Sequence, residues 1–183
     1  KIDGIVCPGH VSVIIGSHPY EFIPRDYGVA CVISGFEPLD ILLCIEKLVE
    51  QLEKGEPKVE IAYLRGVKAD GNIRARRLME DVFEVGEANW RGIGIVPYSG
   101  LKIRGRYERF DADKAFSVRL KPPKEPKGCR CGDVIRGAAT PLECRLFRKV
   151  CTPESPVGPC MVSSEGACAA HYQYGAAEDL QDF

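Results

Sequence analysis

Apolar residues come in two rhythms along the first two thirds of this chain: short unbroken runs and longer stretches with a helical period. Gly4, Ile5 and Val6 form a short run that reads as a buried strand. It closes in a turn signal, Cys7-Pro8-Gly9-His10-Val11-Ser12, followed by the apolar residues 13–16. Residues 29–33 are apolar throughout, as a parallel strand covered on both faces requires. A helix is predicted from Pro38 to about Lys54, with Leu39, Leu42, Leu43, Ile45, Leu48, Val49 and Leu52 giving the period and Gly55 the stop. Residues 59–64 alternate well enough for a third strand. Asn72, after the turn Asp70-Gly71, suits the cap of a helix over 73–85. Residues 90–96 read as loop and then strand. This alternation predicts a parallel three-layer α/β domain over residues 1–117. Three prolines in residues 120–127 can continue neither helix nor central strand, so they mark a link to a smaller, mainly helical and loop domain at 118–183. The end, 176–183, reads as a solvated acidic tail. No internal repeat is visible.

Composition narrows the class. A length of 183 residues supports one or two domains with a real core. A net charge of −1 argues against a general nucleic-acid footprint. No apolar run approaches the ~20 residues of a membrane helix, and no signal-peptide pattern stands at the start. Nine cysteines without a secretory signal favour metal or redox chemistry in a reducing cytoplasm. A strand begins almost at Lys1, so the chain is expected to be a piece of a longer protein.

Six of the nine cysteines fall in residues 129–168: Cys129, Cys131, Cys144, Cys151, Cys160 and Cys168. The C-x-C pair reads as two thiols with different jobs. Thr140, Pro141 and Glu143 make a capping box with proline at the first helical position, which predicts Cys144 in a first helical turn, where a thiolate is favoured. In an unbroken helix Cys144 and Cys151 would stand ~10 Å apart, long for one small centre. The helix is therefore expected to end before Cys151, as the prolines at 153 and 156 also suggest. A cap at Ser163 or Ser164 puts Cys168 in the first turn of a last helix. Four chemistries fit the region: a disulfide framework, a structural zinc site, an iron–sulfur cluster, or unrelated buried thiols. Zinc sites favour paired C-x₂₋₄-C spacings, whereas clusters take four thiolates at dispersed spacings and would leave two cysteines over.

Two further groups stand just past the ends of predicted strands, where open parallel sheets bind ligands: His10 and Glu37. His10 suits either an exposed imidazole at the rim or a structural histidine. Glu37 suits either a ligand or a cap for the helix at Pro38. Cys31 and Cys44 read as inert core residues, and Cys7 is ambiguous. His18 and His171 carry no supporting cluster. Arg74, Arg76 and Arg77 form a solvated helix face, and Trp90 reads as a packing anchor.

These residues resemble the hydrogenase maturation family HypD, in its C-terminal part. The resemblance lies in Cys-x-Cys-Gly-x-Val-x-Arg-Gly (129–137), Pro-x-Glu-Cys (141–144), Cys-Thr-Pro-Glu (151–154) and Cys-Met-Val-Ser-Ser-Glu-Gly-Ala-Cys-Ala-Ala (160–170). Pro-Gly-His-Val-Ser (8–12), Gly-Phe-Glu-Pro-Leu-Asp (35–40), Trp-Arg-Gly-Ile-Gly (90–94) and Pro-x-Ser-Gly (97–100) add to it. Residues 59–63 depart from it, lacking an Asn-Gln before the tyrosine, and the family's Gly-Cys-Pro-Val-Cys segment does not occur in this sequence.

The resemblance implies a 4Fe-4S cluster beside a dithiol. Cys129, Cys144, Cys151 and Cys168 would ligate the cluster, and Cys131 and Cys160 would form the redox disulfide; exchanging Cys129 with Cys131 satisfies the same spacing. His10 and Glu37 become candidates for the cleft that holds iron. The implied role is a cytoplasmic scaffold and electron relay for the Fe(CN)₂CO group of nickel–iron hydrogenases, rather than a conventional turnover enzyme. Its implied partners are a HypC-type chaperone and a HypE-type cyanide donor. Two rival classes remain: a ferredoxin-dependent disulfide reductase and a zinc-stabilised interaction module.

Overall fold

The first apolar run becomes strand β1 (Gly4–Pro8), which passes directly into helix α1 (Gly9–Ile15). The computed structural model describes residues 2–90, 92–116 and 126–175. Contacts divide the chain into two compact units, residues 1–83 and 84–183. The expected domain boundary and residues 120–125 of the proline-rich link lie outside the described residues, as does the acidic tail at 176–183.

In the first unit α1 is followed by a 3₁₀ turn at His18–Tyr20, helix α2 (Phe22–Tyr27), strand β2 (Ala30–Ser34), helix α3 (Pro38–Lys54), strand β3 (Val59–Ile61) and helix α4 (Ile73–Val82). The strands form a parallel sheet in the order β1-β2-β3. Gly4 stands opposite Ala30 and Pro8 opposite Ser34, while Cys31 to Ile33 pair with Val59 to Ile61. Each connection carries a helix, because parallel neighbours cannot be joined by a tight turn.

The central strand β2 is buried at every position, the reason its sequence is apolar without alternation. One sheet face, with Cys7, Cys31 and Ile33, packs against Val13, Tyr20 and Ile23. The other receives α3: the Cys44 thiol donates to the Val32 carbonyl at 3.6 Å, and Ser34 Oγ donates to the Asp40 carbonyl at 3.1 Å. The unit is thus helix, sheet and helix in layers.

Helix α3 starts at Pro38 and ends in Gly55, whose φ of +66° is left-handed. Its period is as the sequence predicts, but it turns Asp40, Cys44 and Gln51 inward. Leu39, Leu42, Ile45, Val49 and Leu52 are exposed. Inward polar groups are tolerated because they are bonded. Gln51 donates to Glu60 Oε2 at 2.8 Å and accepts from the Lys58 N–H at 3.0 Å, tying α3 to the β3 segment.

The predicted cap of α4 is present, with Asn72 Oδ1 accepting from the Ala75 N–H at 3.0 Å. The helix stops at Val82, short of residue 85. Residues from 83 onward form strand β4 (Phe83–Trp90), paired with strand β5 (Gly94–Ile103) in a two-stranded sheet of the second unit. A three-residue connection fixes this pair as antiparallel. The strand expected near 90–96 therefore belongs to a separate hairpin and not to the parallel sheet. Trp90 is half exposed, and its indole N–H donates to Ser99 Oγ across the hairpin at 2.8 Å. It is a cross-strand bond and not the packing anchor expected.

The second unit continues through a 3₁₀ stretch at Gly105–Phe110 to helix α5 (Ala112–Ala115), helix α6 (Cys131–Ile135), helix α7 (Pro159–Val162) and helix α8 (Ala167–Tyr174). Its core joins five cysteines, Cys131, Cys144, Cys151, Cys160 and Cys168, to Val134, Phe147, Met161 and Ala169. Among the described residues no helix is long and apolar enough to cross a membrane.

Candidate functional site

Strands β1 and β2 end in register at Pro8 and Ser34. The chain runs on as Gly9-His10 and as Gly35-Phe36-Glu37, so both rim candidates emerge at one carboxyl edge of the sheet, the place where such sheets take ligands. His10 is exposed, and its ring lies against Phe36 with centroids 5.4 Å apart. Glu37 takes the N-cap position of α3. Its carboxylate pairs with Arg65 Nη2 at 3.1 Å. Arg65 also grips Asp40 by two bonds, 2.6 and 2.7 Å, and lies over the Tyr63 ring at 4.8 Å.

Asp40 is 2% exposed. The Arg65 guanidinium nevertheless holds its carboxyl below the usual range, against the opposing effect of burial. Gly35 has to be glycine here, since a Cβ would run into the Asp40 carboxylate and stand 2.8 Å from the Tyr63 ring. Sequence reasoning missed Asp40 and Arg65. The available signal was the position of Asp40, three residues after Glu37 at the third helical residue, where it accepts the Glu37 N–H at 3.3 Å.

His18 has more company than expected. Its Nδ1 stands 2.7 Å from Glu21 and its Nε2 3.3 Å from Asp70, and the bond to Glu21 raises its pKa. Cys31 and Cys44 are fully buried, as expected of core thiols. Cys7 joins them, its thiol pushed up to about 12 by burial and then by Cys31.

All six cysteines of residues 129–168 meet in the second unit. Five are buried and Cys129 is half-buried. Cys160 stands between two others. Its thiol donates to Cys168 Sγ at 3.0 Å, and its backbone N–H donates to Cys131 Sγ at 3.2 Å. Cys129 and Cys168 both lie close enough to Cys131, Cys144 and Cys151 to be electrostatically coupled to them. Burial, and then the bond to Cys168, pushes the Cys160 thiol up to about 12. Burial also raises Cys129 and Cys168.

Short local devices place these sulfurs. Cys131 opens α6, and Cys160 and Cys168 are the second residues of α7 and α8. Cys168 thus sits in a first turn as predicted, although Gly166 and not a serine takes the cap, and burial outweighs any help to a thiolate. The Thr140–Glu143 box forms, with the Thr140 N–H donating to Glu143 Oε2 at 2.6 Å. It supports only a 3₁₀ turn, Pro141–Glu143, and Cys144 follows it in extended backbone, not in the helix expected.

Arg148, at φ +56°, turns the chain before Cys151; with no helix over Cys144, the expected helix stop does not arise. Cys151 Sγ accepts from the Val157 N–H at 3.4 Å. Gly158 lies against the C-x-C pair: a Cβ there would stand 2.7 Å from Cys129 Sγ and 3.3 Å from Cys131 Cβ. Among the described residues no group of three or more His, Cys, Asp or Glu is arranged to hold a single metal ion.

The sequence model of the HypD family, described as "Hydrogenase formation hypA family", matches residues 1–175. The chain belongs to the HypD family. It is 51% identical over 180 residues to the hydrogenase maturation factor HypD of Cupriavidus necator, covering 98% of this chain and 48% of that protein. It is 49% identical over 176 residues to the hydrogenase expression/formation protein HupD of Azotobacter chroococcum, covering 96% of this chain and 46% of the relative. The HypD of Rhodobacter capsulatus is 44% identical over 182 residues, covering 97% of this chain and 48% of that protein. The chain therefore spans about half the length of the curated HypD relatives it matches. The matched span takes in His10, Glu37 and all six cysteines of the second unit.

Proposed function

We propose that this chain serves in nickel–iron hydrogenase maturation as the C-terminal part of a HypD-type scaffold for the Fe(CN)₂CO group. The observation that carries this is the meeting of six thiols in one buried core, with Cys160 between Cys131 and Cys168. A 4Fe-4S cluster takes four thiolates, each on its own iron, so its anchors stand further apart than the ligands of one ion. The donor set fits: four thiols would hold the cluster and two would remain. Cys129, Cys144, Cys151 and Cys168 are the ligands in this proposal, and Cys131 with Cys160 is the dithiol. The Cys160 N–H on Cys131 Sγ supports Cys131, and not Cys129, as the dithiol partner.

When bound, the cluster supplies electrons singly. The residues do the rest. Cys131 and Cys160 close to a disulfide with loss of two electrons and two protons, and open with their return. The core around them, with Val134, Phe147 and Met161, packs against the buried sulfurs. At the rim of the first unit, Arg65 and the start of α3 hold Glu37 beside Phe36 and His10, the polar groups offered to iron in the whole scaffold. The proposed partners are a HypC-type chaperone and a HypE-type cyanide donor. The proposed compartment is the cytoplasm, where thiols stay reduced.

Anaerobic reconstitution with iron and sulfide tests this. The expected product is brown, with roughly four irons per chain. Single Cys→Ser changes at Cys129, Cys144, Cys151 and Cys168 should abolish iron binding, while those at Cys131 and Cys160 retain it. A colourless protein with stoichiometric zinc, or one without iron and acid-labile sulfide, overturns the proposal. Capture of ferredoxin without the HypC-type chaperone would point to the reductase class.

A further inference from the structure

A cavity of about 270 Å³ opens beside the C-x-C turn. Cys131 and the half-buried Cys129 both line it, with Arg130, Asp133, Arg136 and Gly92 from the β4–β5 turn. The hairpin turn is seated closely here, because the Gly92 carbonyl occupies the place where a Cβ on residue 132 would stand. Asp133 holds both guanidiniums in the wall, accepting from Arg130 Nε at 3.2 Å and from Arg136 Nη2 at 2.8 Å. Arg130 also reaches Glu143 at 3.3 Å, outside the lining. Within the lining two cations face one carboxylate, so the side turned to the cavity is positive although Glu143 offsets part of the Arg130 charge from outside. The volume lies just under the ~300–1,000 Å³ usual for small-molecule sites, which suits a low-molecular-mass compound and not a folded partner.

We propose that this cavity is an access port through which a small anionic disulfide, or the thiol derived from it, exchanges with Cys131. The inference rests on the dithiol assignment of Cys131 and Cys160 and adds its external redox partner. The Cys131 thiolate attacks one sulfur of the incoming disulfide. The incoming S–S bond breaks, one anionic thiolate leaves, and a mixed disulfide forms on Cys131. The Cys160 thiolate then attacks the Cys131 sulfur, expels the second thiolate and closes Cys131–Cys160. Two electrons pass to the incoming disulfide, and the two protons of the protein thiols go to solvent or to the departing thiolates. Run in reverse, two anionic thiols reopen the pair. The arginines raise the local concentration of the anionic partner.

The test uses the full chain, reconstituted and reduced under anaerobic conditions. Two probes are compared, dithiobis(nitrobenzoate), a dianion, and dithiodipyridine, which is neutral. Rates are followed by the released thiol and the modified cysteine is located by peptide mass. Cys131 should react first with the dianion. Arg130→Ala and Arg136→Ala should each slow the dianion about 3- to 10-fold and leave the neutral probe unchanged. Asp133→Asn should speed the dianion, and Arg136→Lys should restore most of the rate. A variant that merely loosens the fold would speed both probes at several cysteines. Equal rates for the two charge classes, or first reaction at another cysteine, overturns the port. If charge preference appears at Cys131 but no Cys131–Cys160 disulfide closes, the port stands and the dithiol assignment falls. If the disulfide closes without charge preference, the reverse holds.

Discussion

Asp40 is buried at the start of α3 and remains charged because Arg65 meets it with two short hydrogen bonds. Its folded pKa lies below its ordinary value. A carboxylate of this kind stabilises the fold above the unfolded pKa, and that contribution is lost as pH falls through the folded one. The loss therefore begins below about pH 4. Arg65→Ala should lower Tm by several degrees at neutral pH, because it strands a buried carboxylate, and the penalty should shrink below pH ~4 as that carboxyl takes a proton. Asp40→Asn should flatten the acid limb of stability in the wild-type background. Thermal melts from neutral pH down to about pH 3 decide this. A penalty for Arg65→Ala that is the same at both ends would show that the cation does not act through Asp40. The same change frees Glu37 from its 3.1 Å pair, so the rim should loosen along with the core contact.

At the level of elements, periodicity located the main pieces and tertiary packing decided their use. The unbroken apolar run at 29–33 announced a central strand, and the helix start at Pro38 and the caps at Asn72 and Gly55 sit where the sequence put them. Which side of α3 faces the sheet was not legible. Its inward positions are Asp40, Cys44 and Gln51, satisfied by bonds to Arg65, Val32 and Glu60 outside the helix, and a hydrophobicity pattern does not register such bonds. The hairpin was missed for a related reason: residues 83–90 carry helix formers such as Glu84 and Glu87, and cross-strand pairing overrode that weak preference. In the cysteine region the capping box was read correctly, but one 3₁₀ turn satisfied it, since no apolar helical face follows to prolong it. The spacing gave the six cysteines, and only packing showed Cys160 between Cys131 and Cys168. These distinctions fix the cost of mutation in the first unit. Ile33 is fully buried, so Ile33→Ala should cost about 2–5 kcal/mol. Leu42 is 64% exposed on α3, so Leu42→Ser should stay within about 0.5 kcal/mol although both residues look equally apolar in sequence. Denaturant melts on the two variants are enough, and similar costs would mean that α3 packs by its outer face.

The molecule as a whole joins two units with cores of different chemistry. The first unit closes over Cys7, Cys31, Ile33 and Val67 with larger aliphatic and aromatic neighbours packed around them, an ordinary apolar core. Among the described residues the second has five thiols in a buried core of nine, and its helices run only four to eight residues. Helices this short do not hold themselves together in water, and thiols offer little apolar area for their number. Where ligands of a metal centre supply the core, binding free energy becomes folding free energy. Under the proposed cluster assignment, the second unit should therefore depend on iron while the first does not. Anaerobic chelation of the reconstituted chain should remove hydrogen-exchange protection from amides in α6, α7 and α8 and leave β1, β2 and β3 protected. In calorimetry one of two transitions should vanish and the other keep its midpoint. Adding Cys131→Ser and Cys160→Ser to the loaded chain should leave both transitions in place, because these two sulfurs are assigned to exchange and not to anchoring. If chelation weakens both sheets and helices alike, or neither, sulfur is not what holds the second unit closed.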